Sequence, residues 1–186
     1  MKKVYPLIFL ALGCGSGQEE TQAIPQPVPA ESAPATQTPY GDSDQVQAYI
    51  NSINPFVQEV GKIQLEIDKM VGSSGQATGS NLAPAMEKLK PRLERALEEF
   101  NKLDPPPLLA PLHGDIKKLM VLRLDGYETT IRGWTQEQID GRTETYAKAE
   151  TTLREANQLI LKLNREIGKV YQAMERATNP VETATP

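Results

Sequence analysis

Residues 146–174 read YAKAETTLREANQLILKLNREIGKVYQAM, and their spacing decides the fold. Tyr146, Ala149, Leu153, Ala156, Ile160, Leu163, Ile167, Val170 and Met174 recur at alternating steps of three and four. With 3.6 residues per turn, those steps hold every apolar side chain on one face. The stretch is therefore an amphipathic helix that needs a partner surface along its length.

Two more stretches upstream repeat the alternation. Leu82, Met86, Leu89, Leu93, Ala96, Phe100 and Leu103 form one seam; Tyr49, Ile53, Phe56, Val60, Ile63, Ile67 and Met70 form the other. A fourth, less regular stripe carries Leu112, Ile116, Leu119, Tyr127, Ile131 and Trp134, with Arg123 interrupting it. The punctuation between stripes fits four helices. Gly72-Ser73-Ser74-Gly75 and Gly79-Ser80 flank a loop, and Ser80 or Asn81 can cap the second helix, with Pro84 tolerated in its opening turn. Asp104-Pro105-Pro106-Pro107 stops that helix, because proline disfavours helical geometry in the residue before it. The third helix is predicted from Pro111 to Gly133. A Thr135-x-x-Gln138 capping box can open the fourth, while Asp140 and Gly141 can mark a later start. Pro55 and Pro91 read as kinks, since the stripes stay in phase across them. The predicted fold is all-α: an elongated antiparallel four-helix bundle in up-down-up-down order over residues 44–177.

The flanks differ in composition. Gln18 to Asp42 is rich in Pro, Gln, Ala, Thr and Ser and lacks apolar periodicity, so residues 14–43 are predicted to be a disordered linker. About 29 flexible residues span roughly 30 Å on average and roughly 95 Å when fully extended. Residues 178–186 read as a short disordered tail on the same grounds.

Residues 1–13 have a basic start, Lys2-Lys3, then an apolar run from Val4 to Gly13, the pattern of a signal peptide and too short to span a bilayer. The run ends Leu10-Ala11-Leu12-Gly13-Cys14, which resembles the lipobox of bacterial lipoproteins. Ala11 stands where the commonest lipobox has Leu; the looser consensus tolerates it. The resemblance implies cleavage between Gly13 and Cys14 and a diacylglyceryl thioether on Cys14, often with an N-acyl chain. Two or three such chains hold a protein to a membrane almost permanently. Polar Gly15-Ser16-Gly17-Gln18 follows at once, so no helix continues into which the thiol could pack. Gly15 is not the aspartate that retains Gram-negative lipoproteins at the inner membrane, so the analogy points to the outer membrane. In the bundle, Leu103-Asp104-Pro105-Pro106-Pro107 followed by Leu112-His113 resembles a helical domain of exported bacterial lipoproteins, over residues 103–163. That resemblance implies a fold and no activity.

The chain holds 20 basic and 24 acidic residues, and loss of Lys2 and Lys3 leaves it more acidic. This is not the basic footprint that nucleic acid requires. With one cysteine, an intramolecular disulfide and a cysteine-pair metal site are both excluded. His113 is the sole histidine, and Ala110 stands three places before it, so a Glu-x-x-His di-iron set is excluded. Its ring is expected to pack over the proline turn and bond a carbonyl or Asp115. Glu94, Glu98, Glu99, Glu150 and Glu155 read as solvated faces, not as acid–base pairs. Arg123 either snorkels to water, pairs with a buried carboxylate or binds an anion between helices. Trp134 reads as a packing plug, with a binding platform as the alternative, and Ala149 and Ala156 allow close helix approach or leave a groove.

No catalytic set, metal site or cofactor follows from these residues. The sequence reads as a lipid-anchored envelope interaction or structural protein, contacting an envelope partner or a second copy of itself. The alternative is a module that binds a small ligand, lipid or peptide in a groove near Arg123 and Trp134.

Overall fold

The computed structural model describes residues 37–72 and 77–178. The signal segment, Cys14, most of the linker and residues 179–186 lie outside the described residues.

A two-stranded hairpin opens the described chain: β1 (Gln37–Thr38) pairs antiparallel with β2 (Gly41–Asp42). Composition placed these residues in the linker. Local turn chemistry gives them structure instead. The Thr38 hydroxyl donates to the Gly41 carbonyl at 2.9 Å and accepts the Tyr40 N–H at 3.1 Å. Gly41 takes a φ of 112°, a conformation that side chains disfavour. The hairpin packs against the first and last helices, which offsets the entropy of ordering it.

Four helices follow: α1 (Ser43–Gly72), α2 (Gly79–Phe100), α3 (Ala110–Asp140) and α4 (Glu144–Thr178). At 22 to 35 residues they are about 33–52 Å long. Asp42 opens α1 by accepting the N–H groups of Asp44 and Gln45 at 3.1 and 3.0 Å. Thr78, two residues before the predicted caps, starts α2, and its N–H donates to the Asn81 side chain at 2.9 Å. A 3-10 turn, Pro107–Leu109, leads into α3. Pro55 and Pro91 lie inside unbroken helices and split neither.

The third helix runs seven residues beyond its predicted end at Gly133. Gly133 is buried against Tyr146 and marks a close approach, not a terminus. Termination falls to Gly141, whose φ of 73° lets its N–H cap the Glu137 carbonyl at 2.9 Å. The later of the two predicted starts for the fourth helix is therefore the observed one.

The helices form an all-α bundle in which α1 packs on α2, α2 on α3 and α3 on α4, while α4 meets α1 only thinly. Ion pairs record the antiparallel order of the last two: Asp115 with Lys162 at 2.5 Å, then Lys118 with Glu155 at 2.7 Å. Ile53, Ile63, Leu89, Leu93, Phe100, Ile116, Met120 and Tyr127 are fully buried at the centre. Because α3 packs on both α2 and α4, it buries a broad face that includes Gly126, Thr129, Thr130 and Gly133. Those small residues, with buried Ala149 and Ala156, bring α3 and α4 together; a Cβ on Gly126 would lie 2.4 Å from Leu153 Cδ2. The predicted α4 stripe is buried at Ala149, Ala156, Leu163, Val170 and Met174 but only half-buried at Tyr146, Leu153, Ile160 and Ile167. The thin contact with α1 leaves that second row partly open.

Candidate functional site

His113, Arg123 and Trp134 all belong to α3. Ten and eleven residues separate them in turn, so each step along the axis is about 15–17 Å. They occupy one end, the middle and the other end of the helix, and no single groove gathers them.

His113 sits where the chain leaves the proline turn, so α3 carries it beside α1 and the end of α2. Its ring stacks on Phe100 with centroids 4.4 Å apart and planes 17° apart, and Phe56 meets Phe100 edge-on at 5.6 Å. Its Nδ1 lies 2.9 Å from the Tyr49 hydroxyl. In place of the expected carbonyl or Asp115, its partner is that phenol, and Asp115 binds Lys162. Burial pushes the Tyr49 phenol far up, so it keeps its proton beside Nδ1. Burial, assisted by Lys117 and opposed by Asp104, holds the imidazole below its ordinary value. A neutral ring follows at neutral pH, and its tautomer sets which of the two groups donates. The arrangement ties α1 to α3.

Arg123 departs from the snorkelling reading. It is 4% exposed and the only charged residue among the described buried ones. One Nη2–H donates to Asn157 Oδ1 on α4 at 2.7 Å. Its Nε is buried without a partner, and among the described residues no carboxylate forms an ion pair with it. Burial lowers the affinity of the guanidinium for its proton, while the charges of Tyr127 and Asp68 oppose that. Tyr127, one turn further along α3, is itself buried, and its phenol is pushed up to about 12 by burial. Asp68 is exposed on α1 and accepts a hydrogen bond from Gln64 at 2.8 Å. The Arg123 head thus bonds to α4 and feels the charge of Asp68 on α1.

Trp134 is half-buried beside Gly79, at the end of the bundle where α2 and α4 begin. A Cβ on Gly79 would meet Tyr146 Oη at 1.9 Å and Trp134 Cε3 at 3.1 Å, so a side chain there would displace the Tyr146 ring. The Tyr146 hydroxyl donates to Glu137 Oε2 at 2.7 Å, and burial and that carboxylate push its phenol up to about 12. Trp134 thus stands half-buried at that end, outside the set of hydrophobics packed on the core cluster.

The carboxylates lie on solvated faces and pair with cations across or along helices. Glu94 and Glu128 share Lys90, Glu59 and Glu66 share Arg92, Glu150 pairs with Arg154 and Glu155 with Lys118. Among the described residues no group of three His, Cys, Asp or Glu is placed to hold a metal ion. Two open clefts are present. One of about 620 Å³ lies along α2 and α3 at Lys90, Arg132 and Ile139; one of about 140 Å³ lies at Tyr40, Leu112 and Lys162. Neither is lined by His113, Arg123 or Trp134.

Sequence reasoning missed Tyr49, Phe100 and Asn157 as partners, since the first two read only as seam residues and the third as part of a polar face. No protein-family model matches the chain, and comparison with curated proteins and with solved structures returns no match.

Proposed function

We propose that this protein is a lipid-tethered interaction module of a bacterial envelope, anchored through Cys14 and presenting its helical bundle to another envelope component. The observation that carries the reading is the order Lys2-Lys3, apolar Val4–Gly13, Cys14, then Gly15-Ser16-Gly17. A bundle behind a linker suits that role, because the linker sets its reach and the paired charges on its faces keep it in water. Among the described residues no helix is long and apolar enough to cross a membrane, so lipid on Cys14 supplies the attachment. Gly15 directs the anchored form to the outer membrane. Partners are another envelope protein or a second copy of the chain.

Fractionation of cells expressing Cys14→Ser tests the anchor. The variant is expected in the soluble fraction; full retention in membranes overturns the reading. Cross-linking of the lipidated protein in cells, with mass spectrometry of the adducts, tests the interaction role, which repeated failure to recover any adduct contradicts.

The alternative is a small-ligand module; Arg123 and Trp134 stand about 16 Å apart along α3, so they would line different stretches of its groove. One observation still favours ligand binding, at Arg123 alone.

A further inference from the structure

A guanidinium carries five N–H donors and one positive charge, and taking it from water without a counter-charge is costly. Arg123 is 4% exposed, yet among the described residues the only acceptor bonded to it is the neutral Asn157 side chain. Its Nε meets no partner among them. A merely structural arginine in such a place would bond a carboxylate with its forked edge. None is bonded among the described residues. Asp68 acts on Arg123 and Tyr127 only as a charge at a distance, and its own hydrogen bond is to Gln64.

Three donors surround this position. They are Arg123 Nε, buried without a partner; the Tyr127 hydroxyl, one turn further along α3; and the amide nitrogen of Asn157, whose oxygen faces Arg123. They come from α3 and α4. Asn157 is exposed while Arg123 Nε is buried, so the donors lead from the surface inward.

We propose that Arg123, with Tyr127 and Asn157, forms a receptor for the carboxylate of a small organic acid entering between α1 and α4. A carboxylate matches the site better than phosphate on two counts. It is planar and presents two oxygens to the parallel N–H bonds of a guanidinium edge. It also carries one negative charge, balancing Arg123, whereas a dianion would face repulsion from Asp68 without a second cation. This site is independent of the tether, so its test and the Cys14 test fail separately.

The experiment is NMR of the full chain labelled with ¹⁵N, following the Arg123 Nε–H signal, assigned by its absence in Arg123→Met. Sodium acetate, inorganic phosphate and sodium chloride are titrated at matched ionic strength. Acetate is expected to move the signal saturably, with phosphate and chloride leaving it in place. Tyr127→Phe, which keeps the ring, is expected to raise the half-saturating acetate concentration about five-fold, one hydrogen bond's worth. Asp68→Asn is expected to leave the acetate-free signal in place and to tighten binding. A signal unmoved by acetate overturns the proposal, as does saturation by phosphate alone. If Asp68→Asn moves the signal with no acetate present, Asp68 is the counter-ion in solution and the receptor reading falls.

Discussion

The Tyr49 hydroxyl stands 2.9 Å from His113 Nδ1, and the same imidazole lies flat on Phe100. One ring thereby joins α1, α2 and α3 at the end of the bundle that carries the proline turn. Tyr49→Phe keeps the packing but leaves Nδ1 without its partner, and is expected to cost about 1–2 kcal/mol. His113→Ala also removes the stack and orphans a buried phenol, for about 2–4 kcal/mol. Urea unfolding of the two variants checks the order; equal midpoints for Tyr49→Phe and the parent would show that the contact contributes nothing.

Stability should also depend on pH through this ring. Burial lowers the folded-state affinity of His113 for its proton. In the unfolded chain it titrates near about 6.5, so just below that pH the unfolded state binds more protons than the native one. The contribution is complete above the unfolded value, falls as pH drops through it, and levels off below the folded value. His113 is the sole histidine, so His113→Gln should remove the slope between about pH 7 and the lower limit of that window. A slope that persists in the variant would assign it to other groups.

Close approach at Gly126 predicts opposite signs for two glycine substitutions. Gly126→Ala forces a Cβ against Leu153 and is expected to lose about 1–3 kcal/mol, with part restored by adding Leu153→Ala. Gly61→Ala meets nothing within 4 Å on exposed helix and is expected to gain about 0.5–1 kcal/mol. Thermal melts of the three variants decide it; a neutral Gly126→Ala would mean that the α3–α4 contact yields.

Replacing Arg123 separates the needs of folding from those of binding. Arg123→Met keeps much of the volume and removes a buried charge that no carboxylate pairs with among the described residues. Its removal relieves the desolvation cost of that charge. The expected result is a higher urea midpoint without added acid. A large loss of stability would instead make Arg123 a structural residue.

The helices were legible because their partners are neighbours in the chain. The alternation in α4 needs only a helix and an apolar surface, and the same holds for α1 and α2. What stayed hidden depends on distant residues. Gly133 and Gly141 look alike as punctuation, but Tyr146 makes the first a packing point and a left-handed backbone makes the second a stop. Tyr49 reaches His113 across 64 positions. Arg123 stood out as a break in a stripe, yet its burial and its bond to Asn157 require knowing how α4 lies on α3. The hairpin escaped because its order comes from a turn and from docking, neither of which leaves an apolar period.

The thin seam between α1 and α4 bears on how the molecule assembles. Each helix finds its main partner next to it in the chain, through a short connection, and the pairing of first with last is far thinner than those three. The search for native contacts is therefore mostly local, as in the fastest-folding helical proteins, which fold in microseconds to milliseconds. The α1–α4 pairing, the widest in sequence, adds little to that search.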